Sequence, residues 1–282
     1  MTGTILVTGG TGSTGTALAA RLREAGVPCR IASRRAADAS DAEQVRFDWE
    51  DDTTYGPALA GVERVYLVAP AFVTDPERLM VPFLRRALTA GVRRAVLLSS
   101  SAVPEGGLML GKVHEAVHAL MPEWGVLQPS WFMQNFVNAL GPAIKADGEI
   151  ITATGDGRVG FIDVSDIAEV AFHALTNPEP PNRALVITGP QALSYADAAV
   201  IISEAAQRPV RHVSISTAQL QERLQGFGVP APYAVLLAGL DEAIKNGAED
   251  RTTSTVEEVT GRPPKSFADF ARDNAEAWRQ AD

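Results

Sequence analysis

A short glycine-rich segment near the start of the chain constrains its fold more than any other feature. The run TILVT is followed at once by GGTGSTG, residues 9–15, and then by the helical pattern ALAARLREAG. Gly9 permits a tight turn, Gly12 lets a ligand approach the backbone, and Gly15 lets the helix pack closely on the strand. The sequence therefore predicts a strand, a tight turn and a helix of the kind that begin an α/β fold.

The same segment is a candidate phosphate-binding loop. A helix N-terminus offers unpaired N–H groups and partial positive charge to phosphate oxygens. Because a strand precedes the glycines and a helix follows them, the pattern favours a dinucleotide site over a plain structural turn. The candidate cofactor-binding residues of this segment are Gly9, Thr11, Gly12, Ser13, Thr14 and Gly15.

Two arginines after the second predicted strand bear on the choice of dinucleotide. Sites that select NAD usually carry a carboxylate here for the ribose 2′-hydroxyl, whereas the 2′-phosphate of NADP requires cations. Arg34 and Arg35 follow the strand CRIAS, and each guanidinium can form paired hydrogen bonds with a phosphate. We therefore expect NADPH rather than NADH. The alternative is two solvated arginines paired with Asp38 and Asp41.

Short β-branched runs alternate with helical patterns through the first two thirds of the chain. The predicted strands read TILVT, CRIAS, QVRFD, RVYLVA, RAVLLSS and GVLQP. Runs that are apolar throughout are typical of strands covered on both faces, as in a parallel sheet with right-handed crossovers. The predicted fold class is therefore α/β, with a doubly wound parallel sheet. Asp48 closes the third run, where it is a candidate acceptor for the adenine amino group or, equally, a helix N-cap.

After Pro129 the alternation weakens and then returns. A helix-like WFMQNFVNAL and a glycine-rich stretch precede the helical DVSDIAEVAFHALTN, which Asp163 and Asp166 are expected to cap, and a further strand, ALVITG. Beyond it the chain is mostly helical, with helix-start patterns at Ser194, Ser216 and Ser266. The predicted domains are a nucleotide-binding domain of residues 1–130 with 158–189 returning to it, and a smaller, mostly helical substrate domain of 131–157 and 190–282.

The charge of the chain opposes binding to nucleic acid, since 25 Lys and Arg stand against 34 Asp and Glu, a formal net charge of -9. Cys29 is the single cysteine, which excludes an internal disulfide, and the start MTGTILVTGG lacks the pattern of a leader peptide. No apolar run reaches the roughly 18 residues that a membrane-spanning helix needs. We expect a cytoplasmic monomer or homodimer that acts on a small molecule, without nucleic-acid or membrane partners.

Several blocks besides the glycine loop together resemble the NmrA-like branch of the atypical short-chain dehydrogenase/reductases. They extend over essentially the whole chain and read TGGTGSTG, SSSAV, QPSWFMQNF, FIDVSDIAEVAFHAL, TGPQALSYADAAVIISEA and EEVTGRPPKSFADFA. The resemblance implies a Rossmann domain, an NADP(H) cofactor and a small C-terminal pocket domain. It leaves the substrate open, because the family includes quinone and azo-dye reductases, imine-type reductases of alkaloid pathways and nucleotide-sensing regulators that catalyse nothing.

One element of ordinary short-chain reductases is missing. Those enzymes use Y-x-x-x-K, in which the tyrosine protonates the carbonyl oxygen while the lysine lowers the tyrosine pKa and holds the ribose. Four residues before Lys112 stands Leu108. The four tyrosines of the chain lie elsewhere, at Tyr55, Tyr66, Tyr195 and Tyr233. Lys112 stays a candidate catalytic and ribose-binding residue, with a solvated helix lysine as the alternative.

Three serines end the fifth predicted strand, on the side where a nicotinamide is expected. Ser99 is a candidate cofactor contact and Ser100 a candidate catalytic residue, with simple strand-end caps as the alternative for both. Ala69 and Pro129 complete the candidate cofactor-binding set.

His114, Glu115 and His118 spell H-E-x-x-H, the helix pattern of zinc proteases. A third ligand is missing, because Met121 and Trp124 stand where the extended pattern requires Gly and His. We therefore predict no metal and keep His114 as a candidate catalytic residue, with an ordinary helix-face histidine as the alternative.

The segment SWFMQNF follows the sixth predicted strand, where a pocket is expected to open. Its aromatic rings suit a flat, conjugated substrate, and packing in a domain interface is the alternative. The candidate substrate-binding residues are Phe72, Trp131, Phe132, Gln134 and Asn135.

These features together predict an NADPH-dependent oxidoreductase that transfers hydride to a small conjugated or pre-activated acceptor, such as an iminium, a quinone or an enone. Such acceptors reduce the need for a tyrosine acid, so that the protein contributes positioning and electrostatics while the cofactor supplies the chemistry. Two alternatives remain: an NADP-binding regulator without turnover, and a non-redox cyclase or isomerase on the same fold.

Overall fold

The computed structural model describes residues 3–35 and 43–279. The strands in these residues are β1 (Thr4–Val7), β2 (Cys29–Ser33), β3 (Gln44–Arg46), β4 (Val62–Leu67), β5 (Arg94–Leu98), β6 (Glu123–Pro129), β7 (Glu149–Thr152), β8 (Arg158–Val159), β9 (Arg183–Ile187), β10 (Leu193–Ser194) and β11 (Arg211–Ser214). The helices are α1 (Ser13–Glu24), α2 (Tyr55–Leu59), α3 (Glu77–Thr89), α4 (Leu110–Leu120), α5 (Gly141–Asp147), α6 (Val164–Thr176), α7 (Tyr195–Ala206), α8 (Thr217–Gly226), α9 (Ala231–Lys245), α10 (Thr255–Thr260) and α11 (Phe267–Asp273).

The chain divides into two compact units. The first unit consists of Met1–Pro129 and Val164–Val186, and the second of Ser130–Asp163 and Ile187–Asp282. The first unit carries the large sheet, whereas the second carries two small sheets and the helices that follow β9. Within the described residues, no helix has both the length and the apolar character needed to cross a membrane.

The large sheet has the strand order β3-β2-β1-β4-β5-β6-β9. The pairs from β3 through β6 are all parallel, so the predicted doubly wound α/β fold is confirmed. The order of strands reverses between β1 and β4, where Val7 lies beside Ile31 on one side and Tyr66 on the other. In such sheets a ligand binds outside the carboxyl ends of the strands at this reversal point.

Helices cover both faces of the sheet, which explains why consecutive residues of its central strands are buried, such as 5–7 in β1 and 65–67 in β4. The helices α1 and α6 pack together on one face, and α3 and α4 on the other. Leu6, Val65, Leu67 and Leu97 point toward the second of these faces and join Phe83 of α3 in one buried cluster. Because side chains alternate along a strand, the residues between them point toward α1 and α6.

One arginine is buried inside the first unit. Arg94, at the start of β5, is 1% exposed, and its guanidinium donates to the carboxylate of Glu123 at 2.7 Å. It also donates to backbone carbonyls at and just after the end of α6, those of Ala174, Leu175, Asn177 and Pro178. The last carbonyls of a helix have no partner within the helix, so this cation stabilises the end of α6 against the sheet.

Replacing Arg94 by methionine leaves Glu123 and several carbonyls without their buried donor. We expect the free energy of unfolding to fall by about 3–5 kcal/mol, measured by urea denaturation. The matched control is Arg93→Met: this neighbour is 72% exposed and lies 4.0 Å from the same carboxylate, so its loss should cost less than about 1 kcal/mol. Equal losses in the two variants would contradict the role given to Arg94.

The second unit has an aromatic core. Phe136, Phe161, Tyr195 and Phe267 contact one another with ring centroids 4.9–5.6 Å apart. The indole nitrogen of the buried Trp278 donates to the carbonyl of Phe136 at 2.7 Å, which anchors the end of the described chain to this core.

The helix starts predicted from serine patterns are confirmed. Ser194 and Ser216 each form a reciprocal capping box, with Asp197 and Gln219 three residues later. Ser266 accepts from the backbone N–H of the residue three positions on. These serines satisfy helix N–H groups that would otherwise lack partners.

The predicted helix over WFMQNFVNAL is wrong in extent. Only Met133–Phe136 form a short 3-10 turn, and α5 begins later, at Gly141. The backbone N–H of Met133 donates to the carbonyl of Ile162, and the N–H of Ile162 donates to the carbonyl of Trp131. Pairing with a distant segment therefore holds the start of this stretch extended, against its local helical pattern.

Candidate active site at the carboxyl edge of the parallel sheet

The glycine loop connects β1 to α1 by a tight turn. Gly9 has a φ of 61°, which favours glycine, and the N–H of Gly12 donates back to its carbonyl at 2.9 Å. Gly12 is the N-cap of α1 and its carbonyl accepts from Thr16 at 2.9 Å. The turn therefore brings the first turn of α1 directly above the end of β1.

Gly15 is required by a close approach of two backbone segments. A Cβ at this position would lie 2.4 Å from the carbonyl oxygen of Gly9 and 2.8 Å from the Cα of Gly10. Backbone atoms cannot move aside as a flexible side chain can, so only glycine fits without a shift of the loop. The role predicted for Gly15, close packing of the helix on the strand, agrees with this geometry.

The loop is also tied to the neighbouring strand β4. The buried hydroxyl of Thr8 donates to the carbonyl of Tyr66 at 3.0 Å and accepts from the N–H of Val68 at 2.8 Å. A Cβ on Gly9 would lie 2.8 Å from the Cβ of Val68. The loop thus stands at the reversal point of the sheet, between the ends of β1 and β4.

The first turn of α1 fits a phosphate group. It contains no acidic side chain, and the N–H groups of Ser13, Thr14 and Gly15 belong to the first turn, where a helix supplies no acceptors. The side chains of Thr11 and Ser13 are exposed, whereas Thr14 is buried. These donors, together with the positive end of the helix, suit the diphosphate of a dinucleotide.

Arg34 and Arg35 follow β2 at the same edge of the sheet, and both are exposed. The Ser33 hydroxyl donates to the carbonyl of Arg35 at 2.7 Å, which shapes the turn that presents the two guanidiniums. Asp38 and Asp41, the alternative ion-pair partners, lie outside the described residues.

Asp48 is half-buried and its carboxylate accepts from the N–H of Glu50 at 3.0 Å. The N-cap interpretation of Asp48 is wrong, because Asp51 caps the following 3-10 turn by accepting from the N–H of Thr53. The local sequence DWEDD contains several carboxylates that could cap this turn, and the backbone turn between residues 48 and 51 places that of Asp51 at the cap. The predicted contact of Asp48 with adenine stays a prediction.

The predicted residues at the ends of β4, β5 and β6 lie along this edge. Ala69 and Ser100 are half-buried, and Ser99 and Pro129 are buried. The hydroxyl of Ser100 accepts from the N–H of Ala102 at 3.3 Å, as a strand-end cap does. The hydroxyl oxygen of Ser99 has no hydrogen-bond partner among the residues that the structure describes, which leaves it free to serve a bound ligand.

Lys112 forms an ion pair that the sequence did not predict. Its ammonium donates to the carboxylate of Glu77, the first residue of α3, at 2.8 Å, and this hydrogen bond raises the pKa of Lys112. The pair joins the first turns of α3 and α4 at the carboxyl edge. Neither side chain is buried, and an ammonium has three donors, so Lys112 retains donors for a further partner.

His114 is buried in α4, and neither ring nitrogen has a hydrogen-bond partner in the described part of the chain. Burial lowers its pKa, although the carboxylate of Glu105, 3.8 Å from Nε2, acts in the opposite direction. The other oxygen of Glu105 lies 2.7 Å from Nδ1 of the exposed His118. No group of three or more metal-ligating side chains occurs in residues 3–35 and 43–279. His114 is thus a neutral, core-facing histidine at neutral pH.

The candidate substrate-binding residues are distributed over both units. Phe72, in the loop between β4 and α3 of the first unit, is 57% exposed and has a φ of 61°. In the second unit Trp131 and Phe132 are half-buried and Asn135 is exposed. The amide of Gln134 donates to the carboxylate of Asp163 at 3.0 Å. Asp163 directly precedes α6, the position of an N-cap.

Sequence reasoning missed two carboxylates of this region, Glu77 and Glu105. Each contacts a side chain of α4 from a distant point of the chain, 35 residues from Lys112 and 13 residues from His118. The motif DPE at 75–77 is typical of a helix start after β4, and this pattern could have indicated Glu77 as a residue of the carboxyl edge.

A substitution of Gly15 by alanine tests the geometry of the loop. The new Cβ would displace the backbone of residues 9 and 10, so we expect a loss of about 1–3 kcal/mol in unfolding free energy and loss of most nucleotide binding by calorimetric titration. Gly239→Ala, in α9, is the matched control, since its Cβ would meet no atom within 4 Å. It should raise stability by up to about 1 kcal/mol and leave binding unchanged. A Gly15→Ala variant that binds normally would refute the close-approach argument.

Three comparisons identify the relatives of the chain. Residues 5–109 match the model of the NAD dependent epimerase/dehydratase family. The uncharacterized oxidoreductase YesF of Bacillus subtilis (strain 168) is 48% identical over 97% of this chain and 96% of its own. The NAD(P)H azoreductase of Xenophilus azovorans is 36% identical over 98% of this chain and 100% of its own.

The fold also matches a solved structure, the NADPH-dependent quinone oxidoreductase of Escherichia coli complexed with NADPH. The TM-score is 0.81 at 22% identity, and the match covers 95% of this chain and 99% of that chain. Since sequence relatives at these levels of identity span nearly the whole chain, it belongs to their family of NAD(P)H-dependent oxidoreductases, the NmrA-like branch of the atypical short-chain dehydrogenase/reductases.

Proposed function

We propose that the chain uses NADPH to transfer a hydride to a small conjugated or pre-activated acceptor, such as an iminium, a quinone or an enone. One observation carries this proposal: a glycine loop whose geometry suits a diphosphate occurs together with Leu108 at the place of the usual tyrosine acid. Leu108 is 78% exposed and has no proton to give. The arrangement therefore suits hydride transfer that needs no dedicated acid just before α4.

Different residues would bind different parts of the cofactor. The first turn of α1 would hold the diphosphate, and Arg34 with Arg35 the 2′-phosphate. The unpartnered hydroxyl of Ser99, at the end of β5, and the ammonium of Lys112 are the proposed contacts of the nicotinamide riboside. When bound, NADPH supplies the hydride, and the role of the protein is to orient the nicotinamide and exclude water from it.

The tyrosines of the first unit offer no substitute acid. Tyr55 donates its hydroxyl to the carbonyl of Trp49 at 2.7 Å, and Tyr66 is fully buried within the sheet. An iminium carries its own positive charge, and a quinone collects a proton from water after hydride has arrived, so these acceptors tolerate the loss. Trp131 and Phe132 are the proposed contacts of the flat acceptor.

The relatives support the same class of reaction. The azoreductase of Xenophilus azovorans is by its name an NAD(P)H enzyme that reduces an azo group, a double bond between two nitrogens. By analogy we place the substrate of this chain among small conjugated molecules.

Removing the charge of Arg34 tests whether the chain prefers NADPH to NADH. Arg34→Ala removes one guanidinium from the 2′-phosphate, so NADPH binding should weaken by roughly 1–3 kcal/mol while NADH binding stays unchanged, as measured by calorimetry. Arg93→Ala removes an exposed arginine that precedes β5 and should alter neither affinity. An equal loss for both cofactors would show that Arg34 does not read the 2′-phosphate.

The reaction itself is tested by following NADPH oxidation with a quinone, a cyclic iminium, an enone and, as the negative control, a simple unactivated ketone. Turnover of at least one of the first three without turnover of the ketone is the expected result. Tight NADPH binding without turnover of any acceptor would identify a regulator instead. Product formed without nucleotide would identify a cyclase or isomerase.

A further inference from the structure

A buried tyrosine lies beside the glycine loop, near the end of β4. Tyr66, in β4, is 0% exposed, and its hydroxyl has no hydrogen-bond partner in the described residues. Its own carbonyl accepts from both the N–H and the hydroxyl of Thr8, the residue that precedes the loop. The tyrosine is therefore fixed at the point where the loop leaves the sheet.

The side chain of Tyr66 extends beneath the first turn of α1. Val65 and Leu67, its neighbours in β4, belong to the cluster on the α3 and α4 face, so Tyr66 points to the opposite face, which α1 and α6 cover. Thr14, in the first turn of α1, is close enough to this hydroxyl to lower the pKa of Tyr66 as a hydrogen-bonding neighbour, although the pair does not meet the distance and angle of a formed hydrogen bond. Burial raises the pKa of Tyr66 and Thr14 opposes this rise, so that the hydroxyl is protonated and is a donor.

An unpaired hydroxyl inside a protein is costly, and it usually has a partner in the functional state. A threonine hydroxyl has one donor and two acceptor sites, so it can accept from a tyrosine while it donates to an anion. Thr14 occupies one of the positions from which the start of α1 would bind a phosphate. A hydroxyl rotates freely until a bound anion fixes its direction.

We propose that Tyr66 is a positioning residue for the cofactor diphosphate. When the diphosphate binds at the first turn of α1, the hydroxyl of Thr14 donates to a phosphate oxygen and accepts a hydrogen bond from the hydroxyl of Tyr66. Tyr66 thereby acts through Thr14 without touching the cofactor. The inference rests only on the cofactor-binding part of the proposed function and is independent of the acceptor.

The test compares Tyr66→Phe with the wild-type chain by calorimetric titration with NADPH in the absence of acceptor, and by thermal unfolding without nucleotide. Loss of one hydrogen bond to a bound ligand predicts that the Kd for NADPH rises about three- to tenfold. Because the removed hydroxyl is unpartnered, the melting temperature of the nucleotide-free variant should be unchanged or higher.

Tyr55→Phe is the matched control. Its hydroxyl is also buried in the first unit, but it donates to the carbonyl of Trp49. This variant should melt at a lower temperature and bind NADPH with unchanged affinity, the reverse of the pattern expected for Tyr66→Phe. If Tyr66 had only a structural role, Tyr66→Phe would melt at a lower temperature and bind NADPH with unchanged affinity, as expected for Tyr55→Phe. That result would overturn the proposal.

A double-mutant cycle with Thr14→Val tests the route through Thr14. Thr14→Val should weaken NADPH binding at least as much as Tyr66→Phe, and the double variant should bind no more weakly than Thr14→Val. Additive losses, or a Kd for Tyr66→Phe equal to that of the wild type, would overturn the proposal. If wild-type protein binds NADPH and Tyr66→Phe binds it weakly, but no acceptor is reduced, the proposed reaction fails while this inference holds.

Discussion

The contact between the start of α1 and the loop that follows β1 determines the geometry of the carboxyl edge. A side chain at Gly15 would meet the carbonyl oxygen of Gly9 at 2.4 Å, so the two backbone segments are as close as glycine allows. This closeness sets the positive end of the helix above the reversal point of the sheet. The predicted cofactor contacts at the ends of β2, β4, β5 and β6 lie along the same edge of the sheet as this helix end.

The buried polar groups of the first unit are of two kinds, those with several hydrogen-bond partners and those with unpartnered atoms. Arg94 is surrounded by carbonyls and the carboxylate of Glu123, and serves stability. Tyr66, Ser99 and His114 have atoms without hydrogen-bond partners in the described chain. Tyr66 lies in β4, at the reversal point, and Ser99 directly follows the neighbouring strand β5. A ligand binds near this point in such sheets. These unpaired polar atoms fit groups that gain their partners when a cofactor binds, directly for Ser99 and through Thr14 for Tyr66.

Prediction from the sequence succeeded where local pattern and tertiary structure agree. The strands were identified from short β-branched runs that alternate with helical patterns, and the helix starts at Ser194, Ser216 and Ser266 from patterns only four residues long. Prediction failed at WFMQNFVNAL, because backbone pairing with Ile162 overrides helical periodicity. Of the two alternatives for Asp48, the N-cap also failed, since neighbouring carboxylates of equal chemistry compete for one cap.

The glycine loop, the two arginines after β2 and the absence of a tyrosine at 108 were determined by the sequence alone, since each depends on residues close together in the chain. The ion pair between Lys112 and Glu77 was decided only by the tertiary structure, as were the burial of His114 and the position of Tyr66 beneath α1. The physical reason is that side-chain partners and burial arise from segments that are distant in the sequence. Local propensity carries no information about which of them will meet.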